Sequence, residues 1–332
     1  MNEREARQAV AEAGRILLRE GLVARTWGNM SCRIDETTFA ITPSGLGYES
    51  MTADDVVVYN MSDKTWRGTR KPSSEKGVHI AAYKQFPDAG FVVHTHQTYA
   101  SALGLAGFDF LSPTAEENAV LGGTALAEYG LPGSKRLWAN VTAALSTGAH
   151  AVLMAQHGAL IAGYDQKDAC ERARILEAVC RRACKGQPAA KAGEKQAEKL
   201  IKLVTGASGC FTHIGCTAAP PVCEAASTVC FLRAQLDDMA QMIGPKLVVA
   251  DAEPEAVINA LKTRSAVLVK GLGAICRADT EGDCEALKLL TEKACVSYLH
   301  TRALKVSVAL SPLDAMLMRV VYKNKYSKKI GG

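Results

Sequence analysis

Two histidines one residue apart close an apolar run, Phe91-Val92-Val93-His94-Thr95-His96. The run reads as a buried strand, where residues i and i+2 share a face, so His94 and His96 point into one pocket. Paired imidazoles of this kind suit a metal ion, although a single His-x-His is weak evidence for one. A third imidazole strengthens the reading. Ala151-Val152-Leu153-Met154-Ala155-Gln156 has the same buried-strand pattern and ends in His157-Gly158, where a strand runs out into a loop. Three neutral histidines leave one coordination position open, the arrangement of a catalytic rather than a structural zinc.

A carboxylate precedes the pair. Glu75 stands at the start of a predicted helix, where free N–H groups and the helix dipole favour negative charge, and an inert first-turn acid is the competing explanation. Ser73 and Ser74 add two hydroxyls at the same helix start, the makings of a phosphate cradle. Thr26-Trp27-Gly28-Asn29 and Thr42-Pro43-Ser44-Gly45 are two more turns of small residues whose amides could face an anion. His79, one turn after Glu75, reads as a packing or supporting residue. Trp27 reads as part of the pocket wall, and His150, His213 and His300 have no partners at ligand spacing.

The elements that must position these groups follow from periodicity. Residues 2–20 keep helical spacing and stop at Gly21. Residues 31–34 and 39–42 form a hairpin around Asp35-Glu36-Thr37-Thr38, residues 56–59 a third strand and 65–68 a fourth. A helix runs from Ser73 to Phe86, stopping before Pro87. Further helices are expected around 99–103, 117–121, 140–145 and 166–184. Short strands flanked by helices without regular βαβ alternation point to an α/β sandwich.

The Ala-, Lys-, Glu- and Gly-rich stretch after Gly186 reads as a connector containing one amphipathic helix. Beyond it the chain repeats itself. Ala151 to Leu160 lies without gaps on Ala266 to Ile275, and Asp168, Glu177 and Cys180 continue onto Asp283, Glu292 and Cys295. Leu272 replaces His157 in the second copy, which also lacks a His-x-His. The expected organisation is a catalytic domain over residues 1–186, a connector over 187–215 and a partial, non-catalytic repeat over 216–332.

Composition narrows the class. The chain has 332 residues, 48% of them hydrophobic, and a net charge of +5 that is scattered apart from a basic tail, Lys323 to Lys329. That is enough for one large domain or two ordinary ones, and no basic-aromatic interleaving suggests a nucleic-acid surface. Eleven scattered cysteines, an odd number, fit free thiols better than a disulfide framework. No secretory leader or membrane-spanning run is evident, so the expectation is a soluble cytoplasmic protein that binds neither membrane nor nucleic acid.

Gly28-Asn29-Met30-Ser31-Cys32-Arg33, Thr42-Pro43-Ser44-Gly45, Pro72-Ser73-Ser74-Glu75, His94-Thr95-His96 and Gln156-His157-Gly158 occur in one order and spacing. In these motifs the chain resembles the class II aldolase/adducin family, over residues 5 to 185. The resemblance implies a three-layer α/β/α sandwich on a mainly antiparallel sheet, followed here by a smaller α/β half-domain. It implies zinc, or another divalent ion, on His94, His96 and His157, with Glu75 as an acid/base that also approaches the metal. It places Asn29, Ser44, Gly45, Ser73 and Ser74 around a substrate phosphate, with Thr26 and Gly28 shaping that pocket.

The implied reaction is reversible cleavage of a ketose 1-phosphate into dihydroxyacetone phosphate and an aldehyde. The metal would stabilise the enediolate while Glu75 moves the proton. Where the family's sugar-phosphate aldolases carry a tyrosine proton donor, this chain reads Thr114-Ala115-Glu116-Glu117-Asn118. A glutamate there resembles the dehydratase branch and some aldolases, which makes Glu116 or Glu117 a candidate second acid/base against an ordinary helix-start pair. Dehydration or 4-epimerisation of a pentulose phosphate is the alternative chemistry. A non-catalytic adducin-like interaction module is the alternative class, and the retained donors argue against it. The family commonly forms rings of four, so a homo-oligomer is expected.

Overall fold

The computed structural model describes residues 1–189 and 194–325. It divides into two compact units, Met1–Ala183 and Cys184–Gly331. Unit 1 opens with helix α1 (Glu3–Arg19), started by a capping box between Asn2 and Glu5 and burying Ala6, Val10, Ala13 and Leu17 along one face. Strands β1 (Asn29–Arg33), β2 (Thr38–Ile41), β3 (Val57–Asn60) and β4 (Trp66–Arg67) follow. The β1–β2 turn is held by Asp35, whose Oδ1 accepts the amides of Thr37 and Thr38. Then come α2 (Lys76–Gln85), β5 (Phe91–Thr95), α3 (Thr98–Leu103), α4 (Ala115–Leu121), β6 (Thr124–Ala127), α5 (Lys135–Leu145), β7 (Ala151–Met154), β8 (Gly158–Gly163) and α6 (Gln166–Ala183).

Among the described residues these strands form one eight-stranded sheet in the order β4-β3-β2-β1-β5-β8-β7-β6. Every pair is antiparallel except β6 and β7. Val10, Leu17, Leu103 and Leu176 of α1, α3 and α6 fill one face, and Val78, Ala82, Leu137 and Val141 of α2 and α5 fill the other. The result is the three-layer α/β/α sandwich that the resemblance implied. Periodicity missed β6, and α5 begins at Lys135 rather than Asn140. Together β6, α5 and β7 make a single parallel crossover in an otherwise antiparallel sheet.

Unit 2 comprises α7 (Glu194–Ala207), β9 (His213–Thr217), α8 (Pro220–Thr228), β10 (Phe231–Arg233), β11 (Lys246–Ala250), α9 (Pro254–Leu261), β12 (Ala266–Val269), β13 (Gly273–Ala278), α10 (Glu281–Ala303) and α11 (Pro312–Lys325). Its described strands form a five-stranded sheet in the order β10-β11-β12-β13-β9. The stretch 187–215, read as a connector, supplies α7 and most of β9 to this unit. Its residues 190–193 lie outside the described residues, as do residues 326–329 of the basic tail.

The sequence echo has a structural counterpart. Ala151 faces Ile161 and Met154 faces Gly158 across β7 and β8; Ala266 faces Cys276 and Val269 faces Gly273 across β12 and β13. A parallel strand flanks the first member of each hairpin (β6, β11), and an antiparallel strand flanks the second (β5, β9). The hairpin turns share a left-handed residue, Gln156 at φ +62° in unit 1 and Gly271 at φ +68° in unit 2. Among the described residues no helix is long and apolar enough to cross a membrane. None of their cysteines forms a disulfide.

Candidate metal centre and proton-transfer site

Three segments meet at one end of β5 and β8. β5 is buried along its whole length and carries His94; His96 follows directly after its last residue. α3 starts just beyond, its first free amides, those of Tyr99 and Ala100, donating to the carboxylate of Glu177 on α6 at 2.9 and 3.0 Å. The β7–β8 turn presents His157. Gly158 is required there, because a Cβ at this position would lie 2.1 Å from the Thr95 carbonyl oxygen. Gly28, at φ +82°, lets its loop lie against the His94 carbonyl, which a Cβ would approach to 2.5 Å, and Tyr48 Oη donates to the Gly28 carbonyl at 2.7 Å.

The rings of His94, His96 and His157 have centroids 4.8–4.9 Å apart. Glu75, the residue capping α2, sends its carboxylate among them. Its Oε2 is 3.2 Å from His94 Nε2 and its Oε1 is 3.2 Å from His157 Nε2. Donor atoms of Glu75, His94, His96 and His157 all lie within 4.8 Å of one another.

This donor set fits a divalent cation. His94 Nδ1 is 2.9 Å from the Ala159 carbonyl oxygen, which can only accept, so Nδ1 carries the proton and Nε2 presents its lone pair inward. That lone pair faces His157 Nε2 at 2.9 Å. Donors about 2 Å from one tetrahedral ion sit roughly 3.3 Å apart, close to the spacings observed here. Buried Glu75 Oε1 makes no well-aligned hydrogen bond despite the nearby imidazole, as expected of an oxygen shaped for a cation. Burial alone would raise the pKa of Glu75, but the imidazoles of His157 and His94 beside it outweigh that and hold the carboxyl well below its ordinary value.

The predicted anion-binding turns converge beside this cluster. An isolated bridge between Pro43 and Pro72 brings the 42–45 and 71–75 loops together, and Asn29 Nδ2 donates to Glu75 Oε2 at 3.3 Å. Not every amide is available to a ligand. Ser44 N donates to the Lys71 carbonyl, Ser73 N to the Thr42 carbonyl and Glu75 N to Ser73 Oγ. The remaining donors include the hydroxyls of Ser44, Ser73 and exposed Ser74, with Gly45 at φ +77° in the same loop. Thr26 is half-buried just before Trp27 and Gly28, both buried.

Glu116 and Glu117 lie elsewhere. They occupy the first turn of α4, where Glu117 closes a capping box with Thr114 and accepts from Arg182 at 2.6 Å; neither belongs to the donor cluster. His150 stacks on Phe86 with ring centroids 3.9 Å apart. His79 holds more than packing contacts. Its ring lies between Ser31 and Asn29, fully buried, and burial pushes its pKa down to about 3. Its i, i+4 spacing from Glu75 on α2 was the available signal.

Residues 8–184 match the family model of the class II aldolase and adducin N-terminal domain. L-ribulose-5-phosphate 4-epimerase UlaF of Salmonella paratyphi B is 34% identical over 189 residues, covering 53% of this chain and 83% of that protein. The solved structure of YgbL from Klebsiella pneumoniae, described as a candidate aldolase/epimerase/decarboxylase, superposes with a TM-score of 0.50 at 25% identity. It covers 55% of this chain and 89% of that one.

Proposed function

The chain belongs to the class II aldolase and adducin family, and from that premise we propose a metal-dependent enzyme that cleaves a ketose 1-phosphate reversibly into dihydroxyacetone phosphate and an aldehyde. The observation that carries this reading is the Glu75 carboxylate set 3.2 Å from both His94 and His157. His94, His96 and His157 would hold the ion, zinc or another divalent metal, with Glu75 beside it. Bound there, a divalent ion supplies Lewis-acid stabilisation of charge developing on the substrate carbonyl oxygen.

The chain's own residues do the rest. In the cleavage direction the Glu75 carboxylate takes the C4 hydroxyl proton, the C3–C4 bond breaks as its electron pair passes toward the carbonyl, and Glu75, now in its acid form, returns that proton to C3. In the condensation direction its carboxylate takes that proton away. Asn29 and the hydroxyls of Ser44, Ser73 and Ser74 hold the phosphate, with Thr26, Gly28 and Gly45 giving it room, and so fix the reacting carbons against Glu75. Glu117 is engaged by Thr114 and Arg182 at a helix start, so no proton is assigned to it or to Glu116.

A second reading, 4-epimerisation of a pentulose phosphate, draws support from the 34% identity to an L-ribulose-5-phosphate 4-epimerase. Incubating the zinc-loaded chain with ketose 1-phosphates and assaying dihydroxyacetone phosphate separates the two. Its release supports the aldolase reading. A 4-epimer formed from ribulose 5-phosphate, with no triose phosphate released, supports the other. Neither product from a metal-loaded chain overturns both.

We also infer that unit 2 is a non-catalytic partial repeat. Cys216, opposite Ile275, takes the place that His94 holds opposite Leu160, and Leu272 takes that of His157. A homo-oligomer is the expected assembly, and light scattering of the full chain tests it.

A further inference from the structure

A buried chain of hydrogen bonds leads to Glu75 between α2 and β1. Tyr83 Oη lies 2.8 Å from Ser31 Oγ, and Ser31 Oγ lies 2.6 Å from His79 Nδ1. His79 Nε2 meets Asn29 Oδ1, and Asn29 Nδ2 reaches Glu75 Oε2. Ser31 and His79 are fully buried, and Tyr83 and Asn29 are 2% and 3% exposed.

The direction of every bond in this chain follows from its end. An ionised carboxylate only accepts, so Asn29 turns its NH2 group toward Glu75 and its carbonyl oxygen toward His79. That oxygen also only accepts, so His79 carries its proton on Nε2. A neutral imidazole protonated there accepts at Nδ1, so the Ser31 hydroxyl donates to it and itself accepts from Tyr83. Packing alone would not require such an order. An apolar residue at 79 would leave Asn29 Oδ1 buried and unpaired, a state the amide escapes by rotating, which draws its N–H away from Glu75.

We propose that His79 is a positioning residue for proton transfer, holding the Asn29 amide so that its NH2 group stays on the Glu75 carboxylate. The proposal rests on the reading of Glu75 as the acid/base. Asn29 is also a proposed phosphate-binding group, so the same constraint fixes the amide that would meet the phosphate. His79 thereby ties the orientation of the proton carrier to that of a phosphate-binding group.

The test uses the full chain. His79→Leu removes the donor to Asn29, and the expected loss in kcat is roughly 10- to 100-fold. His79→Gln places an N–H near the position of Nε2 and is expected to recover most of that loss. In an Asn29→Ala background, His79→Leu should cost nothing further; two losses that multiply in full would overturn the proposal. A readout independent of turnover is 15N NMR of the histidine-labelled, metal-free chain, in which His79 is expected as the Nε2–H form. An Nδ1–H form would overturn the proposal even in an active enzyme. If the wild type turns over no phosphorylated ketose, the functional reading fails, while the tautomer and the Asn29 side-chain amide shift in His79→Leu against His79→Gln still decide the positioning role. Should His79→Leu not fold, His79→Asn replaces it, keeping a polar group beside Ser31 but none on Asn29 Oδ1, with a similarly lowered kcat expected; an unchanged kcat would overturn the proposal.

Discussion

Glu75 sits where two electrostatic effects oppose each other. Desolvation favours its neutral form, the two imidazoles favour its charged form, and the charged form prevails. A proton-transferring group in this position is sensitive to loss of its charge: Glu75→Gln should lower kcat by about 10²- to 10⁴-fold while circular dichroism stays unchanged, a comparison that steady-state turnover checks. His79 gives a pH prediction. Its folded-state pKa is depressed by burial, with His94 reinforcing and Glu75 opposing, from 6.5 to about 3. Between those values the unfolded chain takes up a proton that the folded chain refuses. Stability is therefore fully present above pH 6.5 and declines as pH falls toward 3, by at most about 1.4 kcal/mol per pH unit. Denaturant midpoints of the full chain should follow that slope, and His79→Gln should flatten it. At this scale the sequence exposed the residues that cluster, since strand alternation and a strand end are local facts. It did not reveal that the amides of Ser44 and Ser73 are already engaged. That depends on the Pro43–Pro72 bridge between loops thirty residues apart in the chain.

At the scale of elements, two loops reach the donor cluster only because a side chain is missing from each. Gly158 lets the β7–β8 turn close against β5, and Gly28 lets the β1 entry loop lie on His94. Gly158→Ala should push β8 away from Thr95, lowering metal affinity in isothermal titration by tenfold or more and depressing the thermal midpoint. Retained affinity would mean that the turn can shift without moving His157. Most strands beside the site were legible, since β5 opens on three apolar residues, β7 is wholly apolar and β1–β2 has a turn acid between extended stretches. β6 was not. Thr124-Ala125-Leu126-Ala127 has a single β-branched residue and leaves Leu126 40% exposed, and its pairing with β7 is parallel across a whole helix. The start of α5 was hidden for a related reason: Lys135 and Arg136 are exposed and only Ser134, whose hydroxyl accepts the Leu137 amide, marks it.

At the scale of the whole molecule, unit 1 gathers Glu75, His94, His96 and His157 into one donor cluster, and unit 2 repeats the strand-and-helix pattern with Leu272 at the position of His157. The expected stoichiometry is one divalent ion per chain by elemental analysis. His157→Ala should abolish it, and the thermal midpoint of the wild type should rise with added zinc. Two ions per chain would assign ligands to unit 2. The echo between the two units was visible in sequence because the hairpin and the helix after it align without gaps. The pairing of β9 with β13 was not, because the two strands are far apart in the chain and His213–Thr217 carries no alternation strong enough to announce itself. The repeated hairpin also gives the protein an internal control. Where the turn aims an imidazole it is built on Gln156, which bears the cost of a left-handed backbone, and where the turn aims nothing glycine has relieved it. Gln156→Gly should accordingly raise the thermal midpoint, by up to about 1 kcal/mol in stability, while lowering the affinity for an added divalent ion, a trade of rigidity for relaxation whose relaxed side the unit 2 turn shows.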